Sequence, residues 1–328
     1  MFKKILLGLV GVATAVTAWA QPGAADYPAR PVKLIAVATA GAGGDVLARL
    51  MADRMGAILK TSFIVDNRPG AGGSLAMEGV ARAAPDGYTI GLGGFTSNVL
   101  LPIVRKKMSY DPIKDFAPIA QIGTASILLA VTNDFAATDL KSLIALAKQN
   151  PKEGLLYASW GVGSTGHFCG ELLNQRAGIN TSHVPYKGTG PIVNDLLGGQ
   201  IKMAYIDMAT ATPLVKSGRL RAIAACVKRS PSLPDVPSFE ESGIDFSGKS
   251  ALAPMWAFYA PAGTPQPVLD KLAAAMKQAL DQPDMAAKLL ELGVTKDYVP
   301  GAAYHALLAA GIPQWKEIAT NSNIHVDE

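Results

Sequence analysis

The sequence predicts an α/β protein made of two α/β units in succession. Short apolar or β-branched runs alternate with segments of helical period, as in a sheet of parallel strands joined by helices. That rhythm restarts once, after Ala117 to Ile122. Beyond a proline-rich connector the chain adds one more strand and then reads as helix to its end.

In chain order, Val32 to Val37, Phe63 to Asp66 and Tyr88 to Leu92 read as strands, each followed by a glycine-rich turn and a helical segment. The first helix is expected to start close to Gly43 and Gly44, with Val46, Leu47, Leu50, Met51, Met55 and Ile58 as its apolar stripe and Arg49, Asp53 and Arg54 outside it. After the restart, Ile127 to Val131, Leu155 to Ser159, Thr181 to Val184, Met203 to Ile206 and Leu220 to Cys226 read as strands with helices between them. Ser230 to Gly243 carries Pro231, Pro234 and Pro237 and reads as the connector. Trp256 to Ala260 is one further strand, and the chain from Pro265 onward is expected to be helical, packed on the first unit without new sheet. The second unit is then an insertion joined through two crossovers able to act as hinges.

Residues 1–20 hold Lys3 and Lys4, an apolar run from Ile5 to Val16 and then Ala18, Trp19 and Ala20, the layout of a cleavable secretory leader. The 308 residues that follow (328 − 20) suit roughly two domains of ~100–200 residues. The formal charge of +4 becomes +2 without Lys3 and Lys4, a balance that favours neither nucleic acid nor an acidic membrane surface as partner. The two cysteines, Cys169 and Cys226, make no disulfide framework; an oxidising compartment would permit a bond between them, and unpaired is the favoured reading.

The chemistry concentrates between Tyr157 and Pro191. Ser159, Gly161, Gly163, Ser164, Thr165 and His167 stand where a strand hands over to a helix running from Gly166 to Arg176, whose free N–H groups and dipole suit an anion such as a carboxylate. A catalytic reading through Ser164 and His167 lacks the nucleophile elbow, because Val162 stands where a glycine is required. His167 either bonds a ligand or caps the helix, and the sequence leaves the two level. His183 reads as a satisfied strand histidine, and His305 and His325 as surface residues.

The glycine turns at Gly41 to Gly44 and Gly70 to Gly73 fail the dinucleotide fingerprint, whose third glycine falls on Val46 and Leu75. Thr96, Ser97 and Asn98 can cap a helix and touch a ligand at once. Asp207 is placed on the rim of a cleft, and Tyr186 and Lys187 precede another glycine loop. All of these follow the carboxyl ends of strands, where open α/β sheets bind ligands. No His, Cys or carboxylate pair has metal-ligand spacing, so neither metal nor cofactor is expected.

Ordered motifs then accumulate: Asp66, Asn67, Arg68, Pro69 and Gly70 to Gly73; Asp86, Gly87, Tyr88 and Thr89; Tyr110, Asp111 and Pro112; Gly170 to Leu173; His183 to Pro191; Asp195 to Gln200; Leu233 to Pro237; and Ala260 to Pro265. In this set the chain resembles the extracytoplasmic solute-binding proteins of tripartite tricarboxylate transporters, the Bug or TctC-like family. The resemblance implies a two-domain, type II-like periplasmic binding protein fold with the ligand cleft between domains. It places residues 26–124 with 250–328 in one domain and 125–249 in the other. It also implies a monomeric, periplasmic, non-enzymatic receptor that closes on an organic carboxylate and meets membrane permease subunits. Whether such a receptor serves uptake or presents its ligand for signalling is open.

Carried onto this chain, the ligand-binding set is Ala40, Gly41, Gly43, Gly44, Thr96, Ser97, Asn98, Ser159, Trp160, Gly161, Ser164, Thr165 and His167, with Tyr186, Thr189 and Asp207 nearby; the Arg68 motif is read as structural. One departure stands out. The family usually shows Pro, Phe, a small residue and Pro after the first strand, where this chain has Val37, Ala38, Thr39 and Ala40. The freed volume predicts a pocket for a larger, aromatic carboxylate, with Trp160 stacking on it.

Overall fold

A computed structural model describes residues 26–149, 154–244 and 254–321. The leader, His325 and the domain boundary placed at 249–250 lie outside the described residues. The first unit runs β1 (Val32–Ala36), α1 (Gly43–Leu59), β2 (Phe63–Asn67), α2 (Ser74–Ala81), β3 (Thr89–Gly94), a π-turn over Thr96–Leu100, α3 (Leu101–Val104) and β4 (Phe116–Ala125). The second runs β5 (Ile127–Val131), α4 (Leu140–Gln149), β6 (Leu155–Ser159), α5 (Thr165–Ala177), β7 (Thr181–Pro185), α6 (Thr189–Leu197), β8 (Met203–Asp207), α7 (Met208–Lys216) and β9 (Arg221–Ala225). The chain then returns through β10 (Met255–Pro261), α8 (Gln266–Leu280), α9 (Met285–Glu291), β11 (Val294–Pro300) and α10 (Gly301–Asn321).

Two sheets result, in the orders β11-β4-β10-β3-β1-β2 and β7-β6-β8-β5-β9. The central strand β5 is buried on both faces and therefore reads as an unbroken apolar run, every one of its residues being buried. Leu47, Met51 and Met55 of α1 are fully buried against the first sheet, each such side chain contributing about 1.5–3 kcal/mol.

Neither sheet is purely parallel, as the strand–helix rhythm alone would have it. β10 runs antiparallel to β3 and β4, and β5 runs antiparallel to β8 and β9. The cause is geometric. The parallel strands of both sheets point their carboxyl ends toward a shared cleft, so a strand arriving from the other sheet enters at that end and runs the opposite way. The outward crossing takes a single residue, Ser126, between Ala125 and Ile127.

The expectation of a sheet-free tail also needs correcting, because β11 extends the first sheet beside β4. Only Val294 of this edge strand is buried and its register breaks between Lys296 and Val299, so it lacks the alternation that marks a half-buried strand. The reading of the cysteines as unpaired is corrected as well. Cys169 on α5 and Cys226 just beyond β9 form a disulfide, with Cα atoms 6.0 Å apart and both residues fully buried.

Helix α10 spans the two units on one side. Trp315 packs edge-on against Phe95 after β3 at 4.9 Å and against Phe168 of α5 at 5.6 Å. No described helix is long and apolar enough to cross a membrane.

Candidate functional site

The facing strand ends border a cavity of about 100 Å3, room for about three waters at ~30 Å3 each or for one small organic molecule. Each loop around it is fixed from behind by its own sequence. After β1, the carboxylate of buried Asp45 accepts the Gly41 N–H at 2.8 Å, the Asn67 amide at 2.9 Å and the Arg49 guanidinium at 2.9 Å. Burial acts to raise the pKa of Asp45, but these donors outweigh it and hold the group below the usual carboxylate range. Asn67 also donates to the Ala38 carbonyl at 3.0 Å, which gives the Asp-Asn-Arg-Pro motif its structural task. Gly43 must be glycine because a Cβ there would lie 2.2 Å from the Ala209 Cβ and 2.5 Å from Asp207 Oδ1, both across the cleft. Its N–H donates to Thr210 Oγ1 at 3.2 Å.

On the opposite side, Gly161 at φ +130° turns the chain after β6 and brings it against the backbone of Gly72. Ser164 caps α5, its hydroxyl accepting the His167 N–H at 3.2 Å. Ser159 Oγ sits 2.8 Å from Ser164 Oγ and 2.7 Å from His183 Nε2. His167 Nδ1 accepts the Gly163 N–H at 3.1 Å, and the two imidazoles stack with centroids 4.2 Å apart. Burial lowers the pKa of both histidines, that of His183 to about 3 with repulsion from His167 as the second cause, so both are neutral at pH 7. For His167 the Glu171 carboxylate opposes the shift without overcoming it. Glu171 in turn accepts the Tyr157 hydroxyl at 2.8 Å.

The loops meet at Thr96. Its Oγ1 accepts the Thr165 N–H at 3.0 Å and the Trp160 Nε1–H at 3.4 Å, and it shares a 2.7 Å hydrogen bond with the Thr165 hydroxyl. The first amide of α5 is thus engaged by the opposite unit rather than left open to an anion.

Of the residues read from sequence, Gly44, Thr96, Ser97, Trp160, Thr165, Thr189 and Asp207 border the cavity. Ala40 and Gly41 lie in the first loop and Gly43 opens α1, all three off the cavity wall, and Gly161 lies in the facing turn. Ser159, Ser164 and His167 stand behind that turn in the network just described. Asn98 is fully buried, its Oδ1 accepting the Ser97 hydroxyl at 2.6 Å. Tyr186 donates to Asp195 at 2.6 Å; partial burial and then that bond push its pKa up to about 12.

Sequence reasoning missed Ser126, Trp256, Phe95 and the cavity role of Thr39, all on the wall. The hydroxyls of Thr39 and Ser126 are buried without a hydrogen-bond partner among the described residues, and Ser126 is only 7% exposed. Ser126 carries no local signal, being marked only as the single residue between two strands.

The hydrolase alternative fails on this geometry. The acceptor nitrogen of His167 is occupied by a backbone N–H, and the Ser164 hydroxyl is fully buried. Two sheets whose strand ends face one another across a cavity form the arrangement of a two-lobed solute-binding protein. Comparison with known proteins agrees: the family described as tripartite tricarboxylate transporter family receptor matches residues 47–324. The chain belongs to that family of transport receptors.

A UPF0065 protein of Bordetella bronchiseptica is 34% identical over 292 residues, covering 89% of this chain and 84% of that protein. The solved structure of the periplasmic binding protein BugD superposes with a TM-score of 0.84 at 33% identity, over 91% of this chain and 99% of that one. An R. palustris protein solved with adipate gives a TM-score of 0.85 at 32% identity, over 92% and 99% of the two chains.

Proposed function

We propose that this chain, exported to the periplasm and freed of residues 1–20, captures an organic carboxylate and delivers it to the membrane permease subunits of a tripartite transporter. The observation that carries this reading is a cavity between two lobes bordered by Thr39 and Ser126, whose buried hydroxyls have no hydrogen-bond partner among the described residues. Buried polar groups are rarely left unbonded, and a ligand oxygen supplies the missing partner. Family membership and a relative solved with adipate support the ligand class. In this reading residues 26–124 with 250–328 form one lobe and 125–249 the other, and the receptor acts as a monomer. Gly44, Ser97, Thr165, Thr189, Thr39 and Ser126 face the ligand, while Ser159, Ser164 and His167 hold the facing loop in shape.

A thermal-shift screen of the mature protein against organic acids tests this. A ligand at 100 times Kd stabilises by about 2.7 kcal/mol, and the absence of any shift across the carboxylates would sink the proposal. The Thr96 link adds a second expectation. Thr96→Val leaves the Thr165 amide and hydroxyl without their partner, at a cost of about 1–3 kcal/mol to the closed arrangement. Apparent affinity falls with the population of the closed state, so calorimetry should read a Kd weakened roughly tenfold. Unchanged affinity would show that Thr96 does not couple the lobes.

A further inference from the structure

We propose that Thr39 is a positioning residue that sets how closely the two lobes shut. Its methyl seats in a notch that Gly188 and Gly190 leave open on the opposite lobe, so the residue governs affinity through the spacing of the lobes. This rests on the two-lobed receptor reading above and adds to it. The notch is made by two missing side chains. A Cβ on Gly188 would lie 2.7 Å from Thr39 Cγ2, well inside the separation of packed carbons, and one on Gly190 would lie 3.2 Å from Thr39 Oγ1. Neither glycine answers to a need of its own backbone. Gly188 has φ 164° and ψ 175°, an extended geometry open to any residue. Gly190 stands in the first turn of α6, where glycine costs conformational entropy that alanine does not. What the two glycines have in common is the Thr39 side chain against them.

Both halves of this contact are held in place from behind. The Thr39 carbonyl accepts the Ala42 N–H at 3.1 Å, and Asn67 braces the same loop at the Ala38 carbonyl. Across the cleft the Tyr186 N–H donates to the Ser159 carbonyl at 2.9 Å, and the Tyr186 hydroxyl donates to Asp195 at 2.6 Å. The approach to Gly188 is thereby tied to β6 on one side and to α6 on the other. Threonine is stiff at χ1, so bulk added to the notch is relieved by the lobes moving apart and not by the methyl swinging aside. The Thr96 link reaches the facing lobe after β3 and this contact reaches it after β1, so the two act at separate strands. Contact with a ligand uses the Thr39 hydroxyl, whereas lobe spacing uses its methyl, and substitution separates them.

The first part of the test needs no ligand. With Thr39→Cys and Gly188→Cys together, the two Cβ atoms stand 3.7 Å apart when the lobes are shut, within the roughly 3.5–4.5 Å of disulfides. Air oxidation of the mature protein should join them in most molecules, read as loss of both free thiols and a faster band on a non-reducing gel, while Thr39→Cys alone keeps its thiol. The second part is calorimetric titration with adipate, or with the strongest binder of the acid screen where adipate is silent. Gly188→Ala should weaken binding at least tenfold. Adding Thr39→Ser, which deletes the methyl and keeps the hydroxyl, should bring affinity back within threefold of the parent. Cysteines that stay free, a Gly188→Ala variant that binds like the parent, or a double variant no tighter than Gly188→Ala would each overturn the role of Thr39 and leave the carboxylate receptor standing. Cysteines that join while the whole acid screen is silent uphold the Thr39 contact and sink the carboxylate reading.

Discussion

Replacing Cys169 and Cys226 together by alanine is expected to lower the stability of the protein by about 4 kcal/mol. The bond closes a loop spanning 57 residues, and the chain entropy that such a crosslink removes from the unfolded state amounts to about 4 kcal/mol at 25 °C. For a chain of this size that corresponds to a fall in Tm on the order of 10 °C. The bond joins α5, whose first turn carries Thr165 to the cleft, to the end of β9, where the Cys226 N–H donates to the Ile127 carbonyl at 2.7 Å. It therefore ties the ligand-side helix to the outgoing crossover. Both cysteines are fully buried, so a reductant should act slowly on the native protein and quickly once it opens. Calorimetry of the double variant, and of the parent with and without reductant, checks this; a loss below about 1 kcal/mol would mark the bond as incidental to stability.

Acid should destabilise the protein from pH 6.5 downward, well before the carboxylates titrate. Burial is the first cause of the low pKa of His183, about 3, and the neighbouring His167 is the second. Unfolding returns the ring to an ordinary value near 6.5. The sign follows from linkage. Above pH 6.5 neither state binds the proton and stability is complete; between 6.5 and 3 the unfolded state binds it and the folded state does not, so stability falls as pH falls. From pH 7 to pH 5 the loss from His183 should be about 1–2 kcal/mol, the lower figure applying where solvent screens the ring. His167, whose pKa is lowered by burial against the pull of Glu171, adds to the loss in the same direction. His183→Gln removes the titrating ring and should flatten the slope between pH 7 and pH 5 in urea titrations. A slope as steep as the parent's would place the acid sensitivity elsewhere. Asp45 loses its contribution only below its ordinary range, as pH drops through its lowered pKa, so the two effects are separable.

The fold was legible wherever burial on both faces writes itself as an apolar run, as in β5 and β10, and wherever glycines or prolines punctuate the run. β11 was illegible because an edge strand with one buried residue has neither the run nor the alternation. The mixed sheet order was hidden because it depends on which strands cross between sheets, a property of the whole path and not of any window. At the site, the loops after strands could be located, since strand ends and cap residues are local. What could not be read was the meeting of the loops. Thr96 and Thr165 are 69 residues apart in sequence, and their bond exists only once two sheets face each other. The missing partners of Thr39 and Ser126 are equally non-local, as is the pairing of Cys169 with Cys226.

The sheet order has a consequence for how the chain comes into being. The five strands of the second sheet lie between residues 127 and 225, so that sheet is complete as soon as this continuous stretch has emerged. The first sheet begins earlier, with β1 at Val32, yet β10 between β3 and β4 and β11 at the edge arrive only with residues 255–300. Until then β3 and β4 present open edges on either side of an empty lane, the kind of surface on which another chain can pair. A chain appearing amino end first thus finishes last the lobe that it started first.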